Sequence, residues 1–310
     1  MASKLQLKTK IRAVLNIKQI TKAMQMVSAT KMRKSQEVAL RARPYAKHAL
    51  SLLSRLSEFA KEELASGFWA KRSEGKVCLV AVTSDKGLSG TFNSSVLKMA
   101  FQAYQSMLQK KEEVDVVAVG KKAKDFFKKR GAPIAVAFSR FSDIITLPEV
   151  SPLTEWVLDS YEKGIYKEII FCSTQFVSAL VQKPEIHSVL PIQEGELRKI
   201  VESIVPKTGR YSFLGDTGTW SDGISYIMEP SPNLIAGSLS KNLVRVEILH
   251  LIFESNASEH SSRMLAMKNA TENAENLGET LNLELNKARQ SAITQELTEI
   301  STAKEALTSQ

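Results

Sequence analysis

Residues 20–36 read "ITKAMQMVSATKMRKSQ", an apolar series threaded through closely spaced cations, with no glycine and no proline. Such a stretch predicts a helix, and the fold turns on what so basic a helix packs against. Its window is long, because the first proline is Pro44 and the first glycine is Gly67. At the other end the last proline is Pro232, and after Gly237 the only glycine is Gly278. A second long helix is therefore predicted over residues 241–310. Helices of roughly 50 residues run about 75 Å at 1.5 Å per residue, longer than a compact body of this size needs.

Between the helices the pattern changes. "KVCLVAVTS" (76–84), "VDVVAVG" (114–120), "PIAVAFSRF" (133–141) and "YKEIIFCST" (166–174) are short, apolar and β-branched, and helical stretches alternate with them. That alternation predicts a mainly parallel α/β sheet. Residues 176–192, "FVSALVQKPEIHSVLPI", predict a further strand pair with Lys183 and Pro184 near its turn. The predicted organisation is a shaft helix over 1–66, a Rossmann-like α/β domain over 67–240 that includes a variable loop at about 194–223, and a second shaft helix over 241–310. Cys78 and Cys172 each sit inside an apolar strand, which points to core positions in a reducing compartment rather than a disulfide framework. No run approaches the roughly 18 apolar residues of a membrane span, and the N-terminus lacks an apolar signal core, so a soluble, unprocessed chain is expected.

The net charge of +9 is uneven: residues 1–60 hold thirteen Lys or Arg against Glu37 and Glu58, leaving the other 250 residues slightly acidic. Such a patch suits nucleic acid, a membrane surface or an acidic partner protein. Within the first helix Ala13, Ile17, Ile20, Met24 and Val27 recur at gaps of 4, 3, 4 and 3, and in the last helix Arg263, Met267, Ala270, Ala274 and Leu277 repeat those gaps. This is coiled-coil spacing. Antiparallel pairing of the two seams would set residues opposite each other when their numbers add to about 287, Ile20 beside Met267 and Met24 beside Arg263. Periodicity alone also allows each helix to pack separately on the α/β domain. In the paired arrangement about 24 C-terminal residues, roughly 36 Å of helix, project without a partner while carrying Ala288, Ala292, Ile293, Leu297 and Ile300. Such an apolar set calls for a sleeve formed by other chains.

Three motifs carry a resemblance: "ITKAMQMVSATKMRKSQ" (20–36), "TSDKGLSGTFN" (83–93) and "NKARQSAITQELTEI" (286–300). In this order and at these separations the chain resembles the gamma subunit of F-type ATP synthases over nearly its whole length. The resemblance implies a non-catalytic central rotor shaft, one copy per complex. Its paired helices would run inside a hexamer of alternating alpha and beta subunits, and its α/β domain would rest on the epsilon subunit and the c-subunit ring. It further implies that Arg289, Gln290, Thr294 and Glu296 contact a beta subunit, that Met24 and Arg263 lie near the acidic lever of beta, and that Lys31, Arg33, Tyr226 and Glu229 stand near the foot, toward epsilon or the c ring. Ala13, Ile17, Ile20, Val27, Met267, Ala270, Ala274 and Leu277 would form the seam within the chain. The implied location is peripheral, on the cytoplasmic face of a bacterial inner membrane or, alternatively, on an organellar membrane. Where the family's last motif is followed by Gly-Ala, this chain has Ala303 and Lys304.

Enzyme readings find little support. "SDKGLSG" follows a strand and precedes a helix, where a glycine loop can cradle phosphate, but it matches neither GxGxxG nor GxxxxGK[ST]. His48, His187, His250 and His260 have no metal-ligand spacing and no evident triad, and each is expected on the surface or a helix flank. No cofactor and no metal are expected. A nucleic-acid-binding coiled coil is the non-enzymatic alternative; the first helix offers cations but only Tyr45 and Phe59 as aromatics for stacking.

Overall fold

The computed structural model describes residues 4–41, 67–193, 229 and 231–308. Within them, α1 spans Lys4–Arg41 and is followed by β1 (Lys76–Val82), α2 (Phe92–Gln109), β2 (Val114–Val119), α3 (Lys121–Lys129), β3 (Ile134–Phe138), α4 (Leu147–Glu162), β4 (Tyr166–Phe176), β5 (Gln182–Leu190) and α5 (Pro232–Thr308). The last helix begins at a proline, which lacks the N–H a first turn cannot use, and so starts well before residue 241. The variable loop at 194–223, Tyr226 and His48 lie outside the described residues.

Two compact units are present. One comprises Ser28–Arg263 and is built on a five-stranded sheet of order β3-β2-β1-β4-β5. Strands β1, β2, β3 and β4 are mutually parallel, and β5 returns antiparallel to β4. Alternate residues of β1 feed opposite cores. Val77, Leu79 and Ala81 meet Val96, Ala100 and Phe127 of α2 and α3. Cys78, Val80 and Val82 belong to the other core, with Leu153 and Val157 of α4 and Val244, Ile248 and Ile252 of α5. Both faces are covered, which is why the strands read as unbroken apolar runs. The unit also takes in α1 from Ser28 onward, where Ser35 Oγ donates to Asn256 Oδ1 of α5 at 2.6 Å.

The hairpin between β4 and β5 turns earlier than its sequence predicts. The turn is at Val177–Val181, where Val177 N donates to Val181 O and the Ser178 hydroxyl accepts from the amides of Leu180 and Val181. Lys183 and Pro184 instead pair with Gln175 and Thr174 inside the ladder. Val177 and Val181 look like strand residues, but the serine between them gathers the backbone donors. Pro184 is tolerated because β5 is an edge strand.

The second unit contains α1 up to Val27 and α5 from Met264. The helices pair antiparallel, but in a different register; on α1 the contact lies on a different face from the expected seam, whereas on α5 Met267 and Ala274 of that seam are kept. Thr271 Oγ1 lies 2.8 Å from Thr21 Oγ1, Lys18 Nζ meets Glu275 at 2.7 Å, and a Cβ on Gly278 would lie 3.8 Å from Val14. Opposed residue numbers thus add to 292 or 293. Leu7, Val14, Ala274 and Leu281 form the core of the pair. Met267 is buried and Ala270 partly so, whereas Ala13 is exposed, as are Ile17 (51%), Ile20 (58%), Val27 (50%) and Leu277 (50%). The reason lies in side-chain size. Thr21 and Thr271 return their hydroxyls to the helix carbonyls of Ile17 and Met267, so their polar groups are satisfied locally. With Ala274 and Gly278 they let the backbones approach closely, and the bulkier apolar stripe turns outward.

The register is testable by crosslinking. In the chain carrying Thr21→Cys and Thr271→Cys a disulfide should form rapidly, since the facing hydroxyls are already in contact. Ile20→Cys with Met267→Cys should stay reduced. Cys78 and Cys172 do not compete, because burial pushes both thiols up. Equal yields on a non-reducing gel would overturn the observed seam.

Candidate functional site

The loop 83–93 stands at the C-terminal end of β1, between β2 on one side and β4 on the other, the position at which open α/β sheets bind ligands. Its own groups fill that position. Asn93 Oδ1 accepts from Ser84 N at 3.0 Å, while Asn93 Nδ2 donates to the hydroxyls of Ser84 and Ser89. Asp85 places Oδ1 2.7 Å from Lys121 N, at the start of α3, and Oδ2 against the amides of Arg140 and Phe141. A carboxylate thus occupies the helix N-terminus where a phosphate would otherwise sit. Behind Asp85, Gly120 is irreplaceable by size: with φ +89°, a Cβ there would come 2.3 Å from Thr83 O. The cavity at this crevice holds about 40 Å³, against roughly 300 Å³ or more for a small-molecule site.

The same crevice is the centre of a polar clamp. Asp143 receives Lys31 Nζ at 2.6 Å and Lys86 Nζ at 2.7 Å, and the two ammonium groups hold its carboxyl well below the usual range. Its carbonyl oxygen accepts from His260 Nε2 at 2.5 Å and from Asn256 Nδ2 at 3.4 Å. Arg263, buried, pairs with Glu259, donates to Gly87 O at 3.3 Å and lies 3.3 Å from His260 Nδ1. With Arg263 donating to Nδ1, His260 is neutral and carries its proton on Nε2; burial pushes its pKa down. The clamp therefore ties the glycine loop and the segment 140–143 to α1 and α5 at once, which gives this loop a mechanical role.

His250 and His260 are both buried, contrary to the surface positions expected for them. His250 Nε2 is 3.6 Å from Glu254, too long for a hydrogen bond. Desolvation, with the nearby charge of His187, pushes His250 down to about 3; desolvation, with Glu185, pushes Glu254 up to about 8. Burial thus favours the neutral form of both side chains. Sequence reasoning passed over this polar run, "ESNASEHSSR" (254–263), because its residue types read as a solvated helix face. Its one legible signal was a stretch with neither an apolar stripe nor a helix breaker.

The remaining expected site residues are dispersed. Met24 is half-buried and Arg33 exposed on α1; Lys31 is committed to Asp143, and Glu229 is exposed. Arg289, Gln290, Thr294 and Glu296 are all exposed on α5, and around them Ile293, Leu297 and Ile300 are 48%, 62% and 66% exposed. Lys4 falls opposite about residue 288 in the observed register, so the last 20 or so residues of α5, roughly 30 Å, have no helix beside them among the described residues of their unit. Among the described residues no cluster of His, Cys, Asp and Glu is arranged to hold a metal ion, and no helix is long and apolar enough to cross a membrane.

A family model described as ATP synthase matches residues 3–307. The ATP synthase gamma chain of Pelotomaculum thermopropionicum is 36% identical over 298 residues, covering 95% of each chain. That of Chloroflexus aurantiacus is 33% identical over the full length of both. Among solved structures, a chain of the Euglena gracilis mitochondrial ATP synthase, in an assembly of OSCP, F1 and c-ring, has a TM-score of 0.60 at 17% identity, covering 97% of this chain and 93% of its own. A central stalk and c-ring structure from Tetrahymena thermophila has a TM-score of 0.57 at 21% identity, covering 81% and 99%. At these identities the solved structures support the fold.

The buried carboxyl sets a pH dependence. A Glu254 pKa raised from 4.5 to about 8 on folding means that the folded state holds a proton the unfolded chain releases. Its contribution is fully present below about pH 4.5 and is lost as pH rises toward 8, by up to about 1.4 kcal/mol per unit. Glu254→Gln should flatten the decline in melting temperature between pH 5 and 8.5. Parallel profiles for the two proteins would show Glu254 to be ionised in the fold.

Proposed function

The chain belongs to the ATP synthase gamma-chain family, whose members are central-stalk rather than catalytic subunits, and from that premise we propose that it is the rotor shaft of an F-type ATP synthase. Ion-driven rotation of a c-subunit ring turns it, and its asymmetry makes the three beta subunits of an alpha/beta hexamer inequivalent at each moment. Rotation then couples to ATP synthesis or hydrolysis and regulates ion flow through the complex. In this reading the epsilon subunit and c ring hold the foot, one copy serves each complex, and membrane attachment is indirect, on the cytoplasmic face of a bacterial inner membrane.

The observation that carries the reading is the distribution of surface along α5. Over Leu243–Ser258 its residues, Arg245 and Val246 excepted, are buried in the body of the sheet unit. Beyond Met264 it presents a narrow seam of small residues to α1, and beyond about residue 288 it leaves Ile293, Leu297 and Ile300 exposed around Arg289, Gln290, Thr294 and Glu296. A helix end so exposed is stable in water only because the helix is continuous, and its apolar residues suit a low-friction bearing formed by surrounding subunits. Polar groups among them provide contacts that are made and broken in turn. Arg263 contributes through the clamp, by holding the glycine loop against α5, and Met24 through its half-exposed flank on α1. Lys31, Arg33, Tyr226 and Glu229 serve the foot.

Reconstitution with the alpha and beta subunits of the same organism tests this. The triple variant Ile293→Asp, Leu297→Asp, Ile300→Asp should leave the melting temperature of the isolated chain unchanged to within about 1 °C, since no buried group is touched. ATP hydrolysis by the reconstituted complex should fall about tenfold or more, a barrier change of roughly 1.4 kcal/mol or above. Full activity in the variant would remove the bearing role from these residues.

A further inference from the structure

Helix α3 and its first flanking residue read "KKAKDFFKKR" (121–130), six cations against Asp125 alone. Ala123 and Phe127 face the sheet, so the cations all stand exposed on the outer side. There α3 and α2 enclose an open groove of about 780 Å³. Its floor is apolar, made by Leu97, Phe101 and Phe126, with the two rings edge to face at 5.9 Å. Its rim is predominantly basic, with Lys98 of α2 and Lys122, Lys129 and Arg130 against the single carboxylate of Asp125. None of the ion pairs formed among the described residues includes these four cations. An apolar trough walled by an excess of positive charge is a surface shaped for a partner.

We propose that this groove docks an acidic amphipathic helix of another protein, whose apolar side chains rest on Leu97 and Phe101 while its carboxylates meet the basic rim. Charge complementarity selects an anionic partner, and geometry selects a polypeptide among anions. Arg130 lies 3.5 Å above the Phe126 ring centre and donates to Phe126 O, so the ring face a nucleic-acid base would stack on is already covered. Phe101 and Phe126 are half-buried, whereas insertion among the acyl chains of a bilayer needs protruding apolar groups. A helix with Leu at i, i+3, i+4 and i+7 can lower its side chains to the floor and set Glu against both walls. The surface belongs wholly to the sheet unit, and its role is independent of the shaft reading.

The full-length chain and a fluorescein-labelled amphipathic helix of Leu and Glu, about five turns long, provide the test by fluorescence anisotropy. A scrambled peptide of equal composition is the control. Lys122→Glu with Lys129→Glu should weaken binding about tenfold or more, and Ser94→Trp, which fills the groove from the exposed flank of α2 without changing charge, should do the same. Lys8→Glu with Lys10→Glu, at the N-terminal end of α1, should change it less than about twofold. Melting curves establish that each variant is folded, and Lys122→Gln with Lys129→Gln replaces the charge reversal if that variant is not. Equal binding of the scrambled peptide, equal loss in the α1 variant, or no effect of Ser94→Trp would overturn the proposal. So would preferential, groove-dependent binding of phosphatidylglycerol vesicles or a single-stranded oligonucleotide.

Discussion

A helix of 77 residues cannot bury one constant face, and the rest of the structure follows from how α5 resolves this. Where it passes the sheet it is surrounded, by β1, β4 and α4 through Leu243–Ile252 and by α1 through the Ser35–Asn256 contact. Beyond Met264 it needs only one neighbour, and the contact narrows to a seam of Met267, Thr271, Ala274, Gly278 and Leu281. Close approach there depends on small side chains rather than on maximal hydrophobicity, a principle more familiar from helix pairs in membranes. The consequence is a pair of helices that leaves Ile17, Ile20, Val27 and Leu277 on its outside.

Surrounding a helix places polar residues indoors, and the clamp is how those from Asn256 to Arg263 are satisfied. Asn256, Glu259, His260 and Arg263 all lie on α5, and their partners come from the loop after β1, the segment before α4, and α1. A network with this many participants is worth little unless complete, because each orphaned buried group costs about 1–3 kcal/mol. Here the charges are shared: two lysines for Asp143, one glutamate for Arg263. The glycine loop, which in another sheet protein might hold a phosphate, is bound up in this network, and Asp85 takes the vacant helix amides. The position in the fold that most invites an active site is therefore spent on joining the sheet to the long helices.

Both units leave apolar residues outside, Ile17, Ile20 and Leu277 on the helix pair, Ile293, Leu297 and Ile300 towards the end of α5, and Leu88, Leu147 and Leu180 on the sheet unit, whose exposed charge is densest on α3.

The sequence by itself determined the architecture: short, unbroken apolar strands separated by helices, between two long windows without helix breakers, allow little else. It also determined the family, since motifs of that length at those separations do not recur by chance. The position of the seam was beyond it. Periodicity marks every apolar stripe on a helix, and each of these helices carries a stripe larger than its true seam, so hydrophobicity favoured Ile17 and Ile20 over Thr21 and Leu277 over Gly278. Which stripe is buried depends on how closely two backbones can approach, a property of both helices together. The turn at Ser178 and the burial of His250, Glu254 and His260 were hidden for a related reason. Residue type reports the preference of a side chain for water, but whether a polar group goes indoors is settled by the partners that the folded chain brings to it.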